Sequence, residues 1–258
     1  MARVITFANQ KGGVAKTTSA LTLGQRMKYA KSRILFVDMD PQGNLSHSLI
    51  LDHKKGTVWD FLTKEKTLMQ SKQTNKWGDC LCFSPELTGA DKKLDVIGKE
   101  YLLKEALDPI SDNYDYIIID CPPTLGILTI NSLVVKNNFV VIPSQADIYS
   151  MVGISQLIMS IDSVKKYFSP ELVVLGILLS RFNKRTNLSQ KISQMLEESA
   201  LKVNTKVFKS RIRECNAIKE SEAKRMSIFE YAPKSNAAID YNEFYNELIG
   251  DINAQKQI

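Results

Sequence analysis

A chain of 258 residues with 44% hydrophobic and 24% charged residues has the usage of an ordinary globular α/β domain, long enough to bury a sizeable core. No apolar run reaches the roughly 18 residues of a membrane span and Arg3 to Ala8 reads as a strand with no signal-peptide pattern, so a cytoplasmic protein is expected. The formal charge of +6 is concentrated in one segment, Arg181 to Arg225, where twelve Lys and Arg face five Asp and Glu for a local net of +7.

In chain order, "VITFA" (4–8) reads as a strand, followed by the loop "NQKGGVAKTT" (9–18) and a helix over Thr17 to Ala30. "ILFVD" (34–38) is the second strand and runs into "MDPQGN". The polar, Lys-rich stretch from Lys54 to Lys76 reads as an exposed excursion with a short helix near Trp59 to Leu62. "YIIID" (116–120), "FVVIP" (139–143) and "LVVLGILLS" (172–180) are further strands, and helices are expected over Leu125 to Val135, Tyr149 to Tyr167 and Leu188 to Leu201. These strands are near-continuous apolar runs, the mark of a parallel sheet covered on both faces. The pattern predicts an α/β fold with a doubly wound, mostly parallel sheet flanked by helices, in a single domain over 1–258.

Isolated side chains receive structural readings. His47 and His53 are expected at the surface, and Trp59 and Trp77 in packing. The four cysteines, Cys80, Cys82, Cys121 and Cys215, include no C-x-x-C pair, which argues for buried thiols over a disulfide framework or a zinc site.

The loop carries the chemistry. Its backbone N–H groups and the positive end of the following helix converge on phosphate oxygens. Lys16 is placed to reach the β and γ phosphates and the Thr17 hydroxyl to bind Mg²⁺. Gly12, Gly13, Val14, Ala15, Lys16, Thr17 and Thr18 are therefore the candidate nucleotide-binding residues. The pattern is K-G-G-V-A-K-T-T, with Ala15 where a last glycine usually stands. A right-handed backbone at Ala15 makes this nearly free; a left-handed one costs on the order of 1 kcal/mol. The expectation is a working loop in which Ala15 is tolerated.

"FVDMDPQGN" (36–44) ends the second strand with two acids and "IIIDCPP" (117–123) ends a later one with another, all facing the loop's crevice. With these motifs the chain resembles the ParA/Soj group of partition ATPases, within the MinD-like family of P-loop NTPases with a deviant Walker A loop. The resemblance runs nearly end to end and includes "IRECNAIKESEAKRMSIFEYAPKSNAAIDY" (212–241). It implies that Lys11 is a signature lysine reaching across to a partner's phosphates. It implies also that Asp40 orients the attacking water, that Asp120 is the Walker B acid, and that Thr17, Asp40 and Asp120 gather around Mg²⁺. Asp38 is a switch acid or a solvated strand end. Asn183 and the backbone at Ile212 and Arg213 flank the adenine, or are simply loop polarity.

The resemblance implies an ATP-dependent homodimer that binds double-stranded DNA without sequence preference and is released when a ParB-like centromere-binding partner stimulates hydrolysis. That would place it on the nucleoid. Lys202, Lys206, Lys209, Arg211, Lys219, Lys224 and Arg225, together with Arg213, are the candidate phosphate-backbone contacts. No base-reading helix-turn-helix is expected. A MinD-like membrane-positioning ATPase would want a basic amphipathic C-terminal helix, but "YNEFYNELIGDINAQKQI" is acidic, so no membrane partner is expected. A metabolic ATP-dependent ligase of the same fold is the other alternative.

Overall fold

The computed structural model describes residues 1–183 and 187–255, without the side chains of Ile148, Tyr149, Met151, Val152, Asn187, Leu188 and Lys202. Successive residues of the central strands fall into two apolar clusters. Val4, Leu35, Val37, Ile117 and Ile119 face one, and Ile5, Phe7, Ile34, Phe36 and Ile118 face the other. A strand buried on both faces leaves no polar alternation, so the runs are continuous in sequence.

The strands are β1 (Arg3–Phe7), β2 (Ile34–Asp38), β3 (Lys72–Asn75), β4 (Gly78–Leu81), β5 (Tyr116–Asp120), β6 (Asn138–Gln145), β7 (Val173–Phe182) and β8 (Val207–Arg213). They form one sheet in the order β3-β4-β2-β5-β1-β6-β7-β8. Only the β3/β4 pair is antiparallel. Helices Ile127–Val134 and Ile148–Tyr167 cover the first face. Helix Lys16–Tyr29 and the C-terminal helix Asn236–Ala254 cover the second. The doubly wound fold is thus as expected.

Helix Lys16–Tyr29 lies so close to β2 that a Cβ on Gly24 would meet the Phe36 ring at 2.2 Å. The C-terminal helix locks β8 through Phe244, edge-on to Phe208 at 5.2 Å. Register aligns the strand ends: Phe7 of β1 stands beside Asp120, and Asp120 beside Asp38. The loops after β1, β2 and β5 therefore open on one edge, which is what builds the site.

The excursion holds the expected short helix, Val58–Leu62, fixed by a capping box between Thr57 and Asp60. It also holds β3; the sequence reading did not name β3, β4 or β8 among its strands. β3 and β8 are edge strands that carry polar residues and lack the apolar continuity of central strands, and β4 is only four residues long. Trp77 and three cysteines, Cys80, Cys82 and Cys121, are buried as expected, and Trp59 is half-buried against the core. His47 and His53 are exposed and flank the Phe83 ring at 5.3 and 5.6 Å.

Candidate nucleotide-binding site

The loop after β1 is held from the far side of the sheet. Buried Asn9 accepts from the Lys11 N–H at 3.0 Å and donates to the Pro143 carbonyl at 2.6 Å. Gln145 donates to the Gly13 carbonyl at 3.0 Å. The Ser180 hydroxyl lies 3.0 Å from the Val14 carbonyl and 3.1 Å from that of Ser144. The ends of β6 and β7 thus set the loop's shape.

Ala15, immediately before helix Lys16–Tyr29, has φ 66° and ψ 33°. This corrects the cheaper expectation: the backbone is left-handed, and the cost on the order of 1 kcal/mol is present. The helix start carries no side-chain cap and no acid in its first turn. Its free N–H groups and positive end are left for an anion.

Lys16 is nearly buried, and its ammonium donates to the Lys11 carbonyl at 3.2 Å. Burial lowers its pKa, against the pull of Asp120, Cys121 and Asp40. The Thr17 hydroxyl donates to Asp120 Oδ2 at 2.6 Å, while Asp120 Oδ1 is buried without a partner. Burial, then the neighbouring Asp38, drives Asp120 well above the ordinary carboxylate range.

Asp38 is not a solvated strand end. It is fully buried and accepts from the Asp40 N–H at 3.2 Å, the Ser46 N–H at 2.8 Å and the Ser46 hydroxyl at 2.6 Å. It therefore shapes the turn that carries Asp40, and burial pushes its pKa up. Asp40, 5% exposed, accepts from the Gln42 N–H at 2.9 Å and is also raised by burial.

Lys11 turns the other way. Its ammonium pairs with Asp147 at 2.6 Å and lies 3.4 Å from the Ser150 hydroxyl. Asp147 caps helix Ile148–Tyr167 through the Ser150 N–H. Burial works against its charge, but Lys11 and Ser150 hold its carboxyl below the usual range.

A cleft of about 560 Å³ runs across these elements. Gly12, Gly13, Ala15, Lys16, Thr17 and Thr18 form its floor; Asp40, His47 and Pro123 lie on one flank, and Ser180, Arg181 and the stretch from Ile212 to Asn216 on the other. Val14, Asp38 and Asp120 are buried behind the wall. Ile212 and Arg213 are among the residues that line the cleft, and Asn183 is not. Cys215 lines it too and is half-buried, unlike the other three thiols. Arg181, Ser180, Gln145 and Asp147 were missed. Their only signal was position at the ends of β6 and β7, where ligands of open sheets gather.

Three cations of the basic segment are neutralised, two of them by acids of the C-terminal helix. Lys206 pairs with Asp251 at 2.7 Å, Arg213 with Asp240 at 2.6 Å, and Arg211 with Glu197. Glu247 accepts the N–H groups of Lys209 and Ser210, both at 2.8 Å. Lys219 lines the cleft itself. Lys219 and, away from the cleft, Lys209, Lys224 and Arg225 are exposed without an ion pair among the described residues, with Lys224 over the Tyr231 ring at 4.9 Å. The Lys202 side chain lies outside the described residues.

A phosphate-type loop at the centre of a mostly parallel sheet, flanked by acids on the two neighbouring strands, defines a P-loop nucleotide-binding α/β protein. The AAA domain family model matches residues 2–174. The sporulation initiation inhibitor protein Soj of Bacillus subtilis is 36% identical, over 96% of this chain and 98% of its own. The chromosome partitioning protein ParA of Myxococcus xanthus is 36% identical, over 96% of this chain and 88% of its own. The chain therefore belongs to the Soj/ParA group of the AAA domain family. Among solved structures, a cobyrinic acid a,c-diamide synthase of Mycobacterium smegmatis with bound ATP analog and magnesium matches with a TM-score of 0.82 at 32% identity, over 96% of this chain and 95% of that one.

Proposed function

We propose that residues 1–258 act as one ATPase domain that partitions DNA in the cytoplasm, on the nucleoid. It binds MgATP, closes into a homodimer, holds double-stranded DNA without sequence preference, and releases it after hydrolysis stimulated by a ParB-like partner. The observation that carries this reading is the corner of Lys16, Thr17, Asp40 and Asp120 at the mouth of an uncapped helix start.

The corner fits a divalent cation. Asp120 holds a buried oxygen without a partner beside the Thr17 hydroxyl, and three carboxylates there face one ammonium. Magnesium, when bound, offsets the charge on the β and γ oxygens. Thr17 and Asp120 would hold it, with Asp40 close by. Lys16 grips the phosphates, and Asp40, held near the surface of the cleft by Asp38's grip on its turn, orients the attacking water. Lys11 leaves Asp147 to meet the γ-phosphate across the dimer. That pair is about a third exposed on each side, so its loss is cheap, at most about 1 kcal/mol.

Membrane positioning has less in its favour. No helix among the described residues is long and apolar enough to cross a membrane. Among the described residues the C-terminal helix buries Phe244, Leu248 and Ile252 in the core and engages Arg213, Ser210 and Lys206 through Asp240, Glu247 and Asp251, which does not suit a basic amphipathic membrane anchor. The ligase alternative draws on the likeness to the synthase. Binding to random-sequence duplex DNA, with and without ATP at two salt concentrations, separates the two. ATP-dependent binding that weakens steeply with salt is expected. Binding indifferent to ATP would overturn the partition reading in favour of the ligase.

A further inference from the structure

The sheet order gives the cleft a direction. β2 and β5, which lead into Asp40 and end in Asp120, lie on one side of β1, and β6, β7 and β8 on the other. A nucleotide with its phosphates on Gly12 to Thr18 and its terminal phosphate toward the acids must lay its nucleoside toward β7 and β8. Two arginines line the cleft there, Arg181 and Arg213. Arg213 is committed: Asp240 accepts its backbone N–H at 2.8 Å and its guanidinium at 2.6 and 3.0 Å.

Arg181 is different in three respects. No carboxylate among the described residues pairs with it, and it is exposed toward solvent. Its φ is 49°, left-handed for a residue with a side chain, and it falls between Leu179 and Phe182, where the β7/β8 register shifts. Such irregularities re-aim a side chain, and left-handed non-glycine residues persist where surrounding structure enforces them, often at ligand clamps. The enforcement is visible next door: Ser180 is buried and joined to the Val14 carbonyl of the phosphate loop. The position of Arg181 relative to the bound phosphates is thereby set.

We propose that Arg181 is a nucleobase clamp, its planar guanidinium lying against the purine face of the bound nucleotide. A guanidinium is weakly hydrated and flat, so it can lie plane on plane against a purine, which the compact, strongly hydrated ammonium of a lysine cannot. The inference rests on the nucleotide reading of the cleft and adds to it a residue that acts on the nucleoside, not on the phosphates.

The test measures binding of ATP and of inorganic tripolyphosphate, both with magnesium, to the parent, Arg181→Ala, Arg181→Lys and Arg181→Asn. The asparagine variant tolerates a left-handed backbone and so removes the guanidinium without backbone strain. ATP affinity is expected to fall roughly tenfold in Ala and Asn, the scale of one stacked base. Lys should not restore it, and tripolyphosphate affinity should stay unchanged throughout. Unchanged ATP affinity, an equal loss for tripolyphosphate, or full rescue by lysine would each overturn the clamp. Lys16→Ala serves as the control for the site: it should lose both ligands, and retention of both would sink the nucleotide reading itself.

Discussion

At the ends of β2 and β5 three carboxylates, Asp38, Asp40 and Asp120, crowd one ammonium, Lys16. At β8 the situation is reversed: Lys206, just ahead of the strand, Arg211 and Arg213 each meet an acid, from the C-terminal helix or from Glu197, and of the strand's cations Lys209 is left without an ion pair among the described residues. The first region is electrostatically incomplete and the second is nearly closed. By count of residues, the second had looked like the region in need of a ligand. A local charge of +7 in sequence is therefore not a field of +7 in space, because Asp240, Glu247 and Asp251 arrive from 27 to 45 residues further along the chain.

The largest effect should come from the incomplete region. Asp40→Ala is expected to retain ATP binding while turnover falls on the order of a hundredfold or more, trapping the dimer. Single-turnover hydrolysis at the parent rate would remove Asp40 from the reaction.

A sharper contrast comes from splitting the basic segment. Reversing Lys209, Lys224 and Arg225 to Glu should abolish DNA binding, and milder Ala replacements should lower the salt slope by about 0.9 for each phosphate no longer neutralised. Lys206→Ala should leave that slope alone and cost only the modest worth of a half-exposed pair, less than about 1 kcal/mol. Equal slopes for the two groups of variants would erase the distinction between neutralised and available cations.

Asp120→Asn probes the charge strain directly. An acid raised by burial is charged at a cost in the folded chain, so stability falls as pH rises from the ordinary carboxylate range up through the raised value. Without nucleotide, the variant should melt above the parent at pH 8 and converge with it as pH falls toward 4. It should also lose the magnesium dependence of ATP binding. A gap that widens on acidification would contradict the assigned cause.

The smallest effect is expected at Ala15. Glycine relieves left-handed strain of about 1 kcal/mol, but it raises the entropy of the unfolded chain by a similar amount. Ala15→Gly should therefore change stability little and ATP affinity by less than about tenfold, or about 1.4 kcal/mol, by calorimetry. A larger gain would mean that the natural loop is compromised.

Five strands, the main crossover helices, the phosphate loop and its acids were legible in the sequence. Their cause is local: continuous apolar runs follow from burial on both faces, and phosphate chemistry needs its groups in one short turn. The apolar runs by themselves determined the fold class, and the loop marked where the proposed phosphate end of the cleft lies. Only the tertiary structure decided the left-handed backbone at Ala15, Lys11's hold on Asp147, the burial of Asp38, and which cations of the basic segment remain available. Each of these depends on groups brought together by the sheet order from distant parts of the chain. Coulomb and desolvation energies are set by distance in space, which the distance along a sequence does not encode.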